Sequence, residues 1–197
     1  SSAASDVYKR QTLDRAVSNF ESFKNHVSVL FWSLGNESYA GDILVEMNRY
    51  YKEKDPDRLV HYEGVAENRP YEDLISDMES QMYAPPEKIK EYLENNPKKP
   101  FILCEYMHDM GNSLGGMESY IRLLDQYEDY QGGFIWDYID QALFVKDEVT
   151  GRDVLRYGGD FDDRPSDYEF SGNGILFADR TEKPAMQEVR HYYGLRR

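Results

Sequence analysis

At 197 residues and 40% hydrophobic, the chain can bury one sizeable core. Its net charge of −14, from 23 basic and 37 acidic side chains, argues against nucleic acid or an anionic membrane surface and suits a neutral substrate. The lone Cys104 excludes an internal disulfide, and no apolar run approaches the roughly 18 residues of a membrane span.

In chain order, helical and extended patterns alternate. Residues 12–25 (TLDRAVSNFESFKN) set Leu13, Ala16, Val17, Phe20 and Phe23 on one helical face. VSVLFW (27–32) is an apolar, β-branched and aromatic run of strand length. Asp42 is placed to cap a helix over 43–53, ended by the Asp55-Pro56 turn. LVHYE (59–63) reads as a second strand, and a segment closing at QMYA (81–84) contains a third. Pro85-Pro86 suits the first turn of a helix reaching about Asn95. PFILCEY (100–106) is the fourth strand, a helix follows over roughly 114–129, and GGFIWDYI (132–139) is the fifth strand, punctuated by its glycine pair. Beyond Ala142 the pattern breaks into Gly/Asp/Pro-rich loops. The fold class is α/β.

Two of these strands lead into a carboxylate. Glu37 follows VSVLFW in SLGNES, and Glu105 closes PFILCEY. The C-terminal mouth of parallel strands is where a (β/α) barrel displays its chemistry. One carboxylate as acid/base and a second as nucleophile are what retaining glycoside hydrolysis requires. On these residues alone, two surface glutamates at strand ends are the competing reading.

The flanking residues add a resemblance. Asn36-Glu37 in SLGNES resembles the acid/base motif of glycoside hydrolase family 2, and CEYMHDMGNSLGG (104–116) resembles the nucleophile motif of its β-galactosidases. GGFIWDYIDQAL (132–143) and YGGDFDDRPSDYEFSGNGILFADRTEKPAM (157–186) follow in the family's order, so the resemblance runs from about Thr12 to the end. It implies the second half of a (β/α)8 TIM barrel, strands 4 to 8, truncated on its N-terminal side. Residues 12–190 would form this partial catalytic domain, and 191–197 would start a linker to a missing β-sandwich domain. Residues 1–11 (SSAASDVYKRQ) can be encoded without a mismatch by a DNA string that resembles a transposase-library sequencing adapter. They are expected to be a disordered artefact, outside fold reasoning. The start lacks Met, which fits a gene fragment.

The resemblance assigns roles residue by residue. Glu37 is the expected acid/base and Glu105 the nucleophile that forms a covalent galactosyl-enzyme. Asn36 is expected to bind the sugar 2-hydroxyl, Tyr83 to stand beside the nucleophile, His108 to bind galactose hydroxyls, and Trp136 to floor the sugar ring. Magnesium and sodium are the implied cofactors. Glu37 would serve magnesium, while the Phe170 carbonyl and Asn173 side chain would serve sodium, Asn173 also lying at the substrate. Both metal sites are expected to be incomplete, their remaining ligands lying upstream of this chain, so neither ion should bind tightly. DFDD (160–163) reads as a solvated loop.

Tyr39 stands where the family commonly has Gly after NES, and Asp109 replaces a commoner small residue, which bears on aglycone preference. The expected parent is a homo-oligomeric hydrolase of terminal β-D-galactosides such as lactose, with no nucleic-acid or membrane partner and a cytoplasmic default location. An open parallel sheet exposes its edges, so the chain alone is expected to be marginally stable and inactive. A non-catalytic galactoside-binding or purely structural fragment, or another family 2 β-glycosidase, are the alternatives.

Overall fold

The computed structural model describes residues 2–111 and 113–194, with backbone alone at 2–5 and 169. Helix α1 spans Ser2–Phe23 without a Gly or Pro to interrupt it. Residues 2–11, where disorder was expected, continue the helix predicted from Thr12. Residue 1 lies outside the described residues. Ala16 and Phe20 are buried, whereas Val17 and Phe23 of the predicted face stand largely exposed.

Strand β1 (Phe31–Ser33) is shorter than VSVLFW suggested. His26 N donates to Phe23 O and Val29 N to His26 O, so turns occupy the start of that run and leave Val27 and Leu30 exposed. Helix α2 (Asp42–Lys54) takes Gly41, not Asp42, as its N-cap. Asp42 lies in the first turn, where a carboxylate suits the helix dipole, and accepts the Tyr71 hydroxyl at 2.8 Å. Strand β2 (Leu59–His61) pairs parallel to β1 in the register Phe31↔Leu59, Trp32↔Val60 and Ser33↔His61. It ends two residues earlier than LVHYE implied, giving way to 3-10 turns at Glu63–Ala66 and Arg69–Tyr71 and a short helix α3 (Glu72–Ile75).

Beside β2, Asp77 does the work of a strand neighbour. Its N–H donates to Val60 O at 2.8 Å, and its carboxylate accepts Val60 N–H at 2.6 Å. Lys52 Nζ holds the same carboxylate oxygen at 2.5 Å.

Strand β3 (Glu79–Met82), helix α4 (Pro86–Glu94), strand β4 (Phe101–Tyr106), helix α5 (Met117–Gln126) and strand β5 (Tyr130–Ile135) follow. The strands form one sheet in the order β3-β4-β5. Bonding partners climb together along the neighbours, from Glu79 N→Pro100 O to Tyr83 N→Glu105 O and from Phe101 N→Asp129 O to Trp136 N→Tyr106 O, so the strands run parallel. Helix α5 is shorter than 114–129, because Gly116 at its N-cap has φ 72° and starts it late.

The loops expected beyond Ala142 contain more structure. Strands β6 (Leu143–Lys146) and β7 (Asp153–Arg156) form an antiparallel hairpin. Its turn is fixed by Asp147 Oδ1, which accepts both Thr150 N–H and Oγ1–H at 2.7 Å, and by Gly151 at φ 66°. Helix α6 (Met186–Gly194) covers 191–194, expected to begin a linker; residues 195–197 lie outside the described residues.

Contacts divide the chain into two compact units. The first holds residues 2–82, 91–104 and 129–131; the second holds 83–90, most of 105–128, and 132–194. The first has a continuous core in which Phe20, Trp32, Tyr51, Val60, Tyr62 and Ile75 are buried. Trp32 and Tyr51 stack at 5.2 Å, with Phe20 5.5 Å from the Trp32 ring. The second has a smaller core of Met117, Ile121, Ile175, Leu176 and Val189.

Candidate active site

In the first unit the loop after β1 carries Asn36 and Glu37, both exposed. Glu37 has φ 55°, a left-handed conformation that a branchless-backbone Gly would take more readily than Glu. Its N–H donates to Glu63 Oε1 at 2.6 Å, and Glu63 is buried. Glu37, Ser38, Glu63, Glu67, Arg69 and Gln81 line a cleft of about 480 Å³. Arg69 is fixed there by two bonds to the buried Glu79, at 2.6 and 2.9 Å, the fork-to-fork pairing that gives guanidinium groups a set direction.

Behind this loop, His61 is buried between two hydroxyls. Its Nδ1 lies 3.0 Å from Ser33 Oγ and its Nε2 2.7 Å from Ser80 Oγ. Burial away from water pushes its pKa from 6.5 down to about 4, so the ring is neutral near pH 7.

The second unit links the remaining candidates. Glu105, near the end of β4, accepts the Tyr83 hydroxyl at 2.7 Å. Tyr83 N–H also donates to Glu105 O at 2.9 Å, so backbone and side chain register together. The Tyr83 and His108 rings lie 5.7 Å apart, and His108 and Phe170 5.6 Å apart. Asn173 Nδ2 donates to Phe170 O, and Asn173 O accepts Asp137 N–H at 2.7 Å beside Trp136. Trp136 is half-buried. Tyr83, Glu105, His108, Trp136, Phe170 and Asn173 thus form a connected series, while Asn36 and Glu37 belong to the loop of the first unit.

Among the described residues, two buried side-chain oxygens of the second unit have no hydrogen-bond partner, Asp109 Oδ2 and Asn173 Oδ1. Desolvation lifts the Asp109 pKa from 3.8 to about 6, with the charge of Asp140 adding to the rise and Lys183 opposing it. Lys183 Nζ itself is largely buried, bonded to Asp140 Oδ1 at 2.8 Å and to Gly172 O at 3.2 Å. Gly174 N–H donates to the same Asp140 oxygen, and a Cβ on Gly174 would stand 2.3 Å from the Asp140 backbone nitrogen. Only glycine fits there.

As to metals, the oxygen chemistry suits hard cations such as magnesium and sodium. Asn173 Oδ1 is an orphaned buried acceptor of the kind a sodium ion would take, next to the Phe170 carbonyl. Among the described residues, no group of three His, Cys, Asp or Glu side chains is arranged to hold a metal ion.

Sequence reasoning missed His61, Glu63, Arg69, Glu79, Lys183 and Asp140. The signal for some was faint: charged or ionisable residues at strand ends and in a segment otherwise apolar. Nothing local marks Lys183 as the partner of Asp140, because 43 positions separate them.

Parallel strands alternating with helices, with carboxylates at or just after strand ends, are the layout in which a (β/α) barrel displays its chemistry. The sequence matches the family described as "Glycosyl hydrolases family 2, TIM barrel domain" over residues 1–196, and the chain belongs to that family. The chain is 72% identical over 189 residues to the β-galactosidase large subunit of Latilactobacillus sakei, covering 96% of this chain and 30% of that protein. It is 61% identical to the β-galactosidase of Halalkalibacterium halodurans, covering 92% of this chain and 18% of the relative. Among solved structures, β-glucuronidase from Faecalibacterium prausnitzii shares the fold with a TM-score of 0.60 at 17% identity, over 95% of this chain and 35% of that one. The chain therefore spans under a third of the length of these curated relatives. Among the described residues no helix is long and apolar enough to cross a membrane.

Proposed function

We propose that this chain is strands 4 to 8 of the catalytic barrel of a retaining β-galactosidase whose substrates are terminal β-D-galactosides such as lactose. The observation that carries the reading is the Tyr83 hydroxyl on Glu105 Oε2 at 2.7 Å, at the end of β4. That bond holds one oxygen of the nucleophile and leaves the carboxylate aimed from a rigid strand. Names of the relatives support galactose over other sugars.

The chemistry follows from the two carboxylates. Glu105 attacks the anomeric carbon while the glycosidic C–O bond breaks, its electron pair passing to the leaving oxygen. Glu37 gives that oxygen a proton, then as carboxylate takes a proton from the water that releases the sugar. Tyr83 can return a hydrogen bond to Glu105 as it departs. Asn36 holds the 2-hydroxyl, His108 binds other hydroxyls, and Trp136 offers an apolar floor. Glu37 would supply a ligand to magnesium, and Phe170 O with Asn173 would supply ligands to sodium. When bound, those ions would supply positive charge beside the sugar's oxygens.

The chain spans under a third of the length of the β-galactosidases it matches, so activity is tested within a longer protein. The test is a chimera in which residues 12–197 replace the matching segment of the H. halodurans β-galactosidase. Aryl-β-galactoside hydrolysis that disappears in a Glu105→Gln control is the expected result. A folded chimera with no turnover of any galactoside would reject the assignment.

A further inference from the structure

One stretch of the first unit, residues 62–68, grips the loop of residues 36–40 at four points. Glu63 Oε1 accepts the Glu37 N–H at 2.6 Å. The Tyr62 hydroxyl donates to Ser38 O. Asn68 Nδ2 donates to Ala40 O at 2.6 Å. Between them Gly64 packs so tightly that a Cβ there would stand 2.6 Å from Ser38 O.

Three of the four contacts go to backbone atoms of the loop as hydrogen bonds, so they fix the path of the chain and not any one side chain. Their anchors are rigid. Tyr62 and Glu63 are buried, and Tyr62 N–H is itself bound to the buried Ser76 Oγ at 3.1 Å. The loop needs such support because Glu37 adopts a left-handed conformation, φ 55°, that is strained for a non-glycine residue. The side chains of residues 36–39 meanwhile remain exposed, ready for a ligand.

We infer that Tyr62, Glu63 and Asn68 are positioning residues that act through the backbone to set where the Glu37 carboxylate delivers its proton. This rests on Glu37 being the acid/base. Glu63 is the key member, since it binds the residue itself. In the glycosylation step, which kcat/KM reports, a displaced acid harms only those substrates whose leaving oxygen must be protonated. Lactose releases glucose through a weakly acidic hydroxyl oxygen that needs the proton, whereas 2,4-dinitrophenolate departs as a stable anion.

The test compares Glu63→Met, which removes the acceptor at similar volume, with Glu63→Gln, which keeps a carbonyl oxygen. In the 197-residue chain, amide hydrogen exchange at Glu37 should speed by at least tenfold in the Met variant and stay near the parent rate in the Gln variant. In the chimera, kcat/KM for lactose should fall at least tenfold further than kcat/KM for 2,4-dinitrophenyl galactoside, with Gln restoring most of the loss. Unchanged exchange at Glu37, or equal losses on both substrates, would overturn the inference. A chimera inactive on every galactoside would reject the galactosidase reading, and the exchange result would still decide the grip on the loop. Should the Met variant fail to fold, Tyr62→Phe removes one hydroxyl and is read by the same substrate ratio.

Discussion

The two units hold their strand-end carboxylates by different means. In the first, the Glu37 loop is tied through its backbone to a neighbouring turn that rests on a large aromatic core. In the second, Glu105 is held side chain to side chain by Tyr83, and the surrounding loops rest on a smaller core with two unpartnered buried oxygens. An acid that must act as donor and then acceptor gains from a fixed path with exposed side chains. A nucleophile that forms and breaks a bond gains from one directional donor. The unpaired oxygens of the second unit cost stability and are the features a ligand would satisfy.

This contrast can be broken at its strongest point first. Lys183→Met strands Asp140 in a largely buried site, and loss of such a partner costs about 3–5 kcal/mol. Urea unfolding of the chain should register that loss; a change under 1 kcal/mol would mean the pair is solvated. Acidity comes next, because the units respond with opposite sign. His61 has its folded pKa lowered to about 4 from 6.5, so the unfolded chain binds its proton first. Stability drops as pH falls from about 6.5 to 4, by up to ~3 kcal/mol. Asp109 has its folded pKa raised to about 6 from 3.8, so its contribution is present below 3.8 and lost as pH rises through 6. Asp109→Asn is accordingly expected to stabilise the chain at pH 7 by about 2 kcal/mol and to lose that benefit at pH 4. Denaturant titrations of the parent and this variant at both pH values decide it.

Tyr83→Phe should lower kcat of the chimera by about 10²-fold, the usual size for removing one donor aimed at a reacting group. A full-rate Phe variant would detach Tyr83 from the chemistry. Smallest is Gly151→Ala in the β6–β7 turn, where φ is 66°; a loss of about 1 kcal/mol is expected and activity should not change. Thermal melts together with chimera assays check both halves of that statement.

Much of the fold was legible because strand-length apolar runs and proline punctuation are local signals. β3, α4 and β4 fall close to their expected places for that reason, whereas β5 starts two residues earlier and ends four earlier than GGFIWDYI (132–139) suggested. The N-terminal half of VSVLFW misled, since composition cannot reveal that His26 and Val29 bond back into turns. The β6–β7 hairpin escaped because Gly and Asp around it read as loop, although Leu143–Lys146 and Asp153–Arg156 flank a turn-forming Asp-x-x-Thr-Gly. At the site, the motif residues Tyr83, Glu105, His108, Phe170 and Asn173 were legible as candidates, and the structure links them by hydrogen bonds and ring contacts. Those that support them, such as Glu63 and Lys183, act across the fold and leave no pattern in their own neighbourhood.

Asp77 gives the β2 margin an unusual genetic property. A sheet rung normally joins two main chains, and no change of side chain short of proline can delete it. Here one rung is built from a carboxylate meeting Val60 N–H, with Lys52 holding the same oxygen. A single codon change, Asp77→Ala, can therefore remove one bond of the sheet while leaving its neighbour, the Asp77 N–H to Val60 O, in place. Cohesion at this edge is heritable letter by letter, and selection can tune it without rebuilding the backbone.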